Sequence, residues 1–253
     1  MSTHDRFIEG FATLPGYLSE TSAAILDALL TLQTDVGISG SLLEIGVLHG
    51  KSAGLFALHT RGDESLVLID PTEQVHKAAA VIQENAGISA EVLQCHSQSD
   101  QVRTWSKDRG KQFRWIHIDG DHTTDGFLQD LELSEQLLSE DGIICIDDFF
   151  SPWYPQITLA TCDFLSGHRE DLTVFLCGWN KGYLCRPEHA AQTILPFVSG
   201  SLPESLEKRS IHKFTLFMTD VPGNFDCFGI GPIIPSYRRR GPDSAPDHFP
   251  FSP

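Results

Sequence analysis

Leu42-Leu43-Glu44-Ile45-Gly46-Val47-Leu48-His49-Gly50-Lys51-Ser52 decides the reading of this chain. A short apolar run ends in a carboxylate and two glycines, and an alanine- and leucine-rich stretch of helical character follows at once. That is how a buried parallel strand turns into a helix whose amino end faces a ligand. Gly46 and Gly50 stand where the backbone must come close to something bulky and a β-carbon would collide. The spacing, Glu-x-Gly-x-x-x-Gly, departs from the Gly-x-Gly-x-x-Gly dinucleotide fingerprint. A second apolar run, Ser65-Leu66-Val67-Leu68-Ile69, ends at Asp70. An acid at the tip of the next strand is where doubly wound sheets grip a ribose diol. Glu44 at the first turn, with no phosphate-type lysine signature, favours a nucleoside with a cationic tail over a pyrophosphate.

On these residues the chain resembles the class I S-adenosylmethionine-dependent methyltransferases. The resemblance implies that S-adenosyl-L-methionine lies with its methionine end along Glu44, Gly46 and Gly50 and its ribose on Asp70. It also implies a doubly wound, mostly parallel seven-stranded α/β sheet.

The remaining chain fits that plan. A helix is expected over about residues 17–32, where Leu18, Ile25, Leu26, Leu29, Leu30 and Leu32 recur at helical spacing. It either covers the substrate side or packs on the sheet. After Asp70 comes a helix near residues 73–85, closed by Gly87, and then a third strand over 90–95. The resemblance sets Ser97, just past that strand, beside the adenine; the alternative is that Ser97 caps a helix over 98–105. A fourth strand over 113–118 ends at Asp119-Gly120-Asp121-His122, and a helix over 125–138 follows. A fifth strand over 143–146 ends at Asp147-Asp148. Strand and helix alternate throughout, which calls for a parallel sheet covered on both faces. A helix over 157–166, a strand over 172–177 and a returning antiparallel strand over 182–185 complete the expected sheet. Three parts result: an N-terminal helical cover (1–40), the cofactor-binding domain (41–186) and a C-terminal extension (187–253) packed on it or at a subunit interface. Within the extension, 188–198 reads as a helix and 213–218 as a strand.

Composition narrows the function. The 253-residue chain has a formal charge of −16, against a nucleic-acid partner, which needs clustered lysine and arginine. Its one dense basic run, Tyr237-Arg238-Arg239-Arg240, reads as a solvated segment or a carboxylate clamp. No apolar stretch reaches the roughly 20 residues that span a bilayer, and Met1-Ser2-Thr3-His4-Asp5 lacks the regions of a signal peptide. The six scattered cysteines, without a CxxC pair, read as buried thiols of a reducing cytoplasm.

Ligands of open α/β sheets bind beyond the carboxyl ends of the strands. Asp119, Asp147 and Asp148 stand on what should be neighbouring tips, with no obvious lysine or arginine partner, so a cation is expected to neutralise them. Hard oxygen ligands suit magnesium or manganese. The segment His117-Ile118-Asp119-Gly120-Asp121-His122, with Gly142-Ile143-Ile144-Cys145-Ile146-Asp147-Asp148, resembles the metal-dependent catechol- and macrocin-type O-methyltransferases. That resemblance makes Asp119, Asp147 and Asp148 the metal ligands, with Asp119 also beside the methyl donor, and His122 the general base. Histidine is the residue type that exchanges a proton near neutrality. His117, inside a strand, reads as a packed core histidine, and Asp121 as an exposed turn residue. The expected function is therefore divalent-metal-dependent O-methyl transfer to a small hydroxylated metabolite, by a cytoplasmic protein that forms a homo-oligomer if the extension is an interface. The alternatives are a metal-independent N- or C-methyltransferase and a metal-dependent hydroxylase of the cephalosporin type.

Overall fold

The computed structural model describes residues 1–168, 170–220 and 226–232. Two helices, α1 (Thr3–Gly10) and α2 (Glu20–Asp35), precede β1 (Ser41–Ile45). Alternation then runs α3 (Lys51–His59), β2 (Leu66–Ile69), α4 (Gln74–Ala86), β3 (Glu91–Leu93), α5 (Asp100–Ser106), β4 (Phe113–Ile118), α6 (Thr124–Leu137), β5 (Leu138–Asp147) and α7 (Pro155–Gly167). The hairpin of β6 (Thr173–Gly178) and β7 (Lys181–Cys185) follows. A helical run through α8 (Pro187–His189), a π turn at Ala190–Ile194, α9 (Leu195–Gly200) and α10 (Leu202–Glu207) leads to β8 (Thr215–Asp220) and β9 (Asp226–Gly231).

The strands form one sheet in the order β3-β2-β1-β4-β5-β7-β6-β9-β8. The first five pair in parallel, and β7 returns antiparallel to β5. Two strands therefore lie beyond the seven expected, because the hairpin of β8 and β9 pairs onto β6 through β9. A sheet that ends at β7 is therefore too short by that hairpin. Successive residues of β5 face opposite sides: Ile143 and Cys145 join one core, Ile144 and Ile146 the other. The first core takes α2, α3, α4 and α10; the second takes α6 and α7.

Helix α2 packs on the sheet, one of the two readings of the leading helix. It buries ten residues against the sheet, while Ser22 near its start lines the cleft and its hydroxyl donates to the Trp179 carbonyl at 3.1 Å. Arg209, just past α10, ties the C-terminal part back by an ion pair with buried Asp27 at 2.6 Å. Asp27 also bonds His59 of α3 at 2.7 Å. Of the cysteines, Cys145 and Cys185 are buried as expected, but Cys162 is exposed on α7. No helix among the described residues is long and apolar enough to cross a membrane. The basic run at 237–240 lies outside the described residues.

The order of strands reverses at β1, whose neighbours are β2 on one side and β4 on the other. A crevice opens there, beyond the carboxyl ends. Gly46 sits in it at φ +82, and a β-carbon on it would lie 1.9 Å from the Asp119 carbonyl oxygen. Gly50, at φ +79, caps α3 against Ala78 of α4. The bulky neighbour of each glycine is therefore the chain itself.

Candidate active site

The crevice is a cavity of about 1250 Å³. It exceeds the roughly 300–1,000 Å³ of an ordinary small-molecule pocket, so a nucleoside donor and an acceptor can share it. Gly46, Asp70, Ser97, Asp119, His122, Asp147 and Asp148 all line it. Glu44 and Gly50 do not. Glu44 is fully buried behind the turn, where its Oε1 meets His117 Nδ1 at 2.8 Å. His117 is thus buried as expected, yet it is part of a charged cluster, with Nε2 3.9 Å from Asp147 Oδ2.

Asp70 holds the glycine turn in shape. Its Oδ2 accepts from the N–H groups of Val47 and Leu48 at 2.9 and 3.0 Å. Its Oδ1 accepts from the Thr72 N–H and hydroxyl at 2.8 and 2.6 Å. Burial alone would raise its pKa, but these four donors outweigh it and hold the carboxyl below its ordinary range. The group therefore stabilises the turn fully above the ordinary carboxylate pKa, and that contribution fades as pH falls through the lowered value. Asp70→Ala should weaken calorimetric binding of S-adenosylhomocysteine by roughly 1.5–3 kcal/mol, the worth of a hydrogen bond to a charged group. Unchanged affinity in the folded variant would remove Asp70 from the site.

Ser97 lines the cavity but caps no helix: Ser99 is the N-cap of α5. Its hydroxyl accepts from Gln98 Nε2 at 2.8 Å, which also donates to Asp130 Oδ1 at 3.1 Å. Burial pushes the Asp130 carboxyl up to about 6 despite those hydrogen bonds. Asp121 is exposed and accepts from the Thr123 N–H at 2.8 Å, the turn role expected of it.

The acidic floor differs from the expectation in one respect: Asp147 has a lysine. Lys181, the first residue of β7, pairs across the sheet with Asp147, and its Nζ lies 2.6 Å from Oδ2. Asp147 Oδ1 accepts from the Asp148 N–H at 2.8 Å. Burial would raise Asp147, but Lys181 and His117 more than offset it, so its pKa is lowered. Lys181 is raised in turn: burial opposes its charge, and Asp147, Cys145 and Asp119 restore it. Asp148 meets Asn180 Nδ2 at 2.8 Å and His122 Nε2 at 2.8 Å. Asp119, at 3.8 Å from the same His122 nitrogen, receives no hydrogen bond from the described residues. Burial, then the charge of Asp147, push its pKa well up. Asp119 is thus the carboxyl of the floor whose charged form its neighbours support least.

Asp119, His122 and Asp148 each offer an atom within 4.8 Å of the others. Two carboxylates with room for water suit a hard divalent cation, so the donor set fits magnesium or manganese. Strain gathers here too. Among the described residues, four of the six non-glycine residues at positive φ line this crevice: Leu48, Asp148, Trp179 and Asn180.

Sequence reasoning missed Lys181, Asn180 and the aromatic rim. Tyr154 stacks on the His122 ring with centroids 4.0 Å apart, and Gln156 Nε2 donates to the His122 carbonyl at 2.7 Å. Trp153, 83 % exposed, and Tyr17 of the N-terminal segment, also exposed, both line the cavity. The available signal for Lys181 was a lone charge opening an otherwise apolar strand.

Residues 43–149 match a family model described as a methyltransferase domain. Among solved structures, an O-methyltransferase from Bacillus cereus in complex with SAH is 18 % identical, with a TM-score of 0.52, covering 73 % of this chain and 89 % of that one. The TDP-rhamnose 3'-O-methyltransferase of calicheamicin biosynthesis is 14 % identical, with a TM-score of 0.53, covering 72 % and 92 %. A search of curated proteins found no match. Over residues 43–149 the chain is thus similar to methyltransferase domains, and its fold is that of these solved O-methyltransferases. Lys181, Asn180 and the aromatic rim all lie beyond the stretch matched by the family.

Proposed function

We propose that the protein methylates a hydroxyl oxygen of a small, ring-bearing metabolite, with a divalent cation at Asp119 and Asp148 and with His122 as general base. The observation that carries this reading is the His122–Asp148 contact at 2.8 Å, with Asp119 at 3.8 Å, on the floor of the cavity that the glycine turn also lines. The sugar hydroxyl named for the calicheamicin enzyme supports an oxygen acceptor. Exposed Trp153 and Tyr17 offer flat faces to such an acceptor's ring.

When bound, S-adenosylmethionine supplies a methyl group on a sulfonium, and the cation supplies Lewis acidity that lowers the acceptor's hydroxyl pKa. The chain does the rest. Asp70 fixes the turn that seats the donor, and Asp119 and Asp148 face the acceptor end. His122 takes the acceptor's proton on an imidazole nitrogen, while Asp148 stabilises the imidazolium that results. Stacked Tyr154 and the hydrogen bond from Gln156 keep the ring and its loop in place. Alignment of the hydroxyl with the methyl group then suffices, without a covalent protein intermediate.

The test is release of S-adenosylhomocysteine with a panel of sugars, vicinal diols and phenols, before and after chelation. Chelator should abolish turnover, and magnesium should restore it. Full turnover in excess chelator, at negligible metal content, would defeat the cation and leave metal-independent methyl transfer in its place.

A further inference from the structure

Lys181 is 2 % exposed, and across the β5–β7 ladder it stands directly opposite Asp147. A buried ammonium is held by its partner, because leaving it alone is far more costly than leaving both in place. Asp147 is equally committed. One oxygen holds Lys181, and the other takes the Asp148 N–H and, at 3.4 Å, Asn180 Nδ2. What sets Asp147 apart from Asp148 is the ammonium: the partners of Asp148 are the Asn180 amide and the His122 imidazole. Asp119 is the opposite case, with no hydrogen bond from the described residues. The charges decide between them: Lys181 cancels Asp147, so the two remaining carboxylates match one divalent cation.

We propose that Lys181 is a positioning residue that holds Asp147 out of the cation site, leaving Asp119 and Asp148 as its carboxylate ligands. This rests on the cation reading above and departs from the ligand set that the sequence motif implies. Lys181 acts through Asp147 rather than on the acceptor. It has a signature that a merely structural residue lacks: removing it should strengthen metal binding.

The probe is manganese, followed by the electron paramagnetic resonance of the free ion during titration of the purified full chain. Lys181→Met returns a free carboxylate to the site and should tighten binding by on the order of 10–100-fold, the scale on which groups touching a metal ligand change affinity. Lys181→Arg keeps the charge and should match the wild type. The double variant Lys181→Met with Asp147→Asn removes the pair as a neutral unit, which buried sites tolerate better than a broken pair. It should bind manganese as the wild type does, whereas Asp119→Asn should lose binding. A folded Lys181→Met with unchanged or weaker affinity overturns the proposal. If that variant does not fold, the double variant decides alone: losing manganese as Asp119→Asn does would make Asp147 a ligand. Manganese bound by none of the proteins also overturns it, together with the cation. Methyl transfer assayed without metal then shows separately whether the O-methyltransferase reading stands.

Discussion

Replacing His122 with alanine will lower the turnover rate by roughly 10²–10⁴-fold, the usual scale for a lost general base. The ring is placed for that role by three contacts. Its Nε2 meets Asp148 at 2.8 Å, its face lies 4.0 Å from Tyr154, and its carbonyl accepts from Gln156. The variant removes the imidazole but leaves the backbone carbonyl that Gln156 holds, so the loop keeps that anchor. S-adenosylhomocysteine affinity should therefore stay nearly unchanged, because the hydrogen bonds that tie Asp70 to the glycine turn do not involve His122. Rapid quench of a single turnover separates the two effects. A variant that keeps most of its rate on its true acceptor would show that His122 only orders the loop.

Replacing Gly46 with alanine will prevent the chain from reaching its native state, or leave it severely destabilised. Positive φ alone costs a residue with a β-carbon about 1–3 kcal/mol. The larger effect is steric: the new carbon would sit 1.9 Å from the Asp119 carbonyl oxygen and 2.4 Å from its carbon. Both walls are backbone of central strands. The Gly46 N–H donates to Ile69 at 2.9 Å, and the Asp119 N–H donates to Ile45 at 2.8 Å. The turn can yield only by breaking the ladders between β1 and its two neighbours. Urea unfolding should show a loss beyond about 4 kcal/mol, the range reserved for severe core defects. A midpoint close to that of the wild type would mean the crevice is looser than its hydrogen bonds indicate. Gly62 is the control: it too has positive φ, but nothing lies within 4 Å of its β-carbon position.

The parallel half of the sheet was legible because four of its five strands, β1, β2, β4 and β5, hold a short apolar stretch that ends at an acid or a glycine. Periodicity there depends only on local sequence. The hairpin of β8 and β9 was not, since its pairing with β6 is a contact between segments far apart in the chain. The positions of Asp70, Ser97, Asp119, His122, Asp147 and Asp148 along one cavity followed from the rule that strand tips converge. Glu44 failed the same rule because it lies within β1, before the turn, and alternation points it away from the cavity toward His117. The partner of Lys181 was hidden for a related reason. Only the antiparallel register of β7 brings it to Asp147, and nothing local in the sequence states that register.

The central claim is that a methyl group passes from S-adenosylmethionine to an oxygen. The direct measurement supplies donor labelled with carbon-13 in its methyl group, together with the acceptor that supports turnover, and reads the product by nuclear magnetic resonance and mass. The label should appear at a methoxy carbon, the acceptor should gain the mass of one methylene, and S-adenosylhomocysteine should form in equal amount. A labelled methyl on nitrogen or carbon would contradict the oxygen acceptor. An acceptor heavier by one oxygen, with the label still on the donor, would contradict methyl transfer itself.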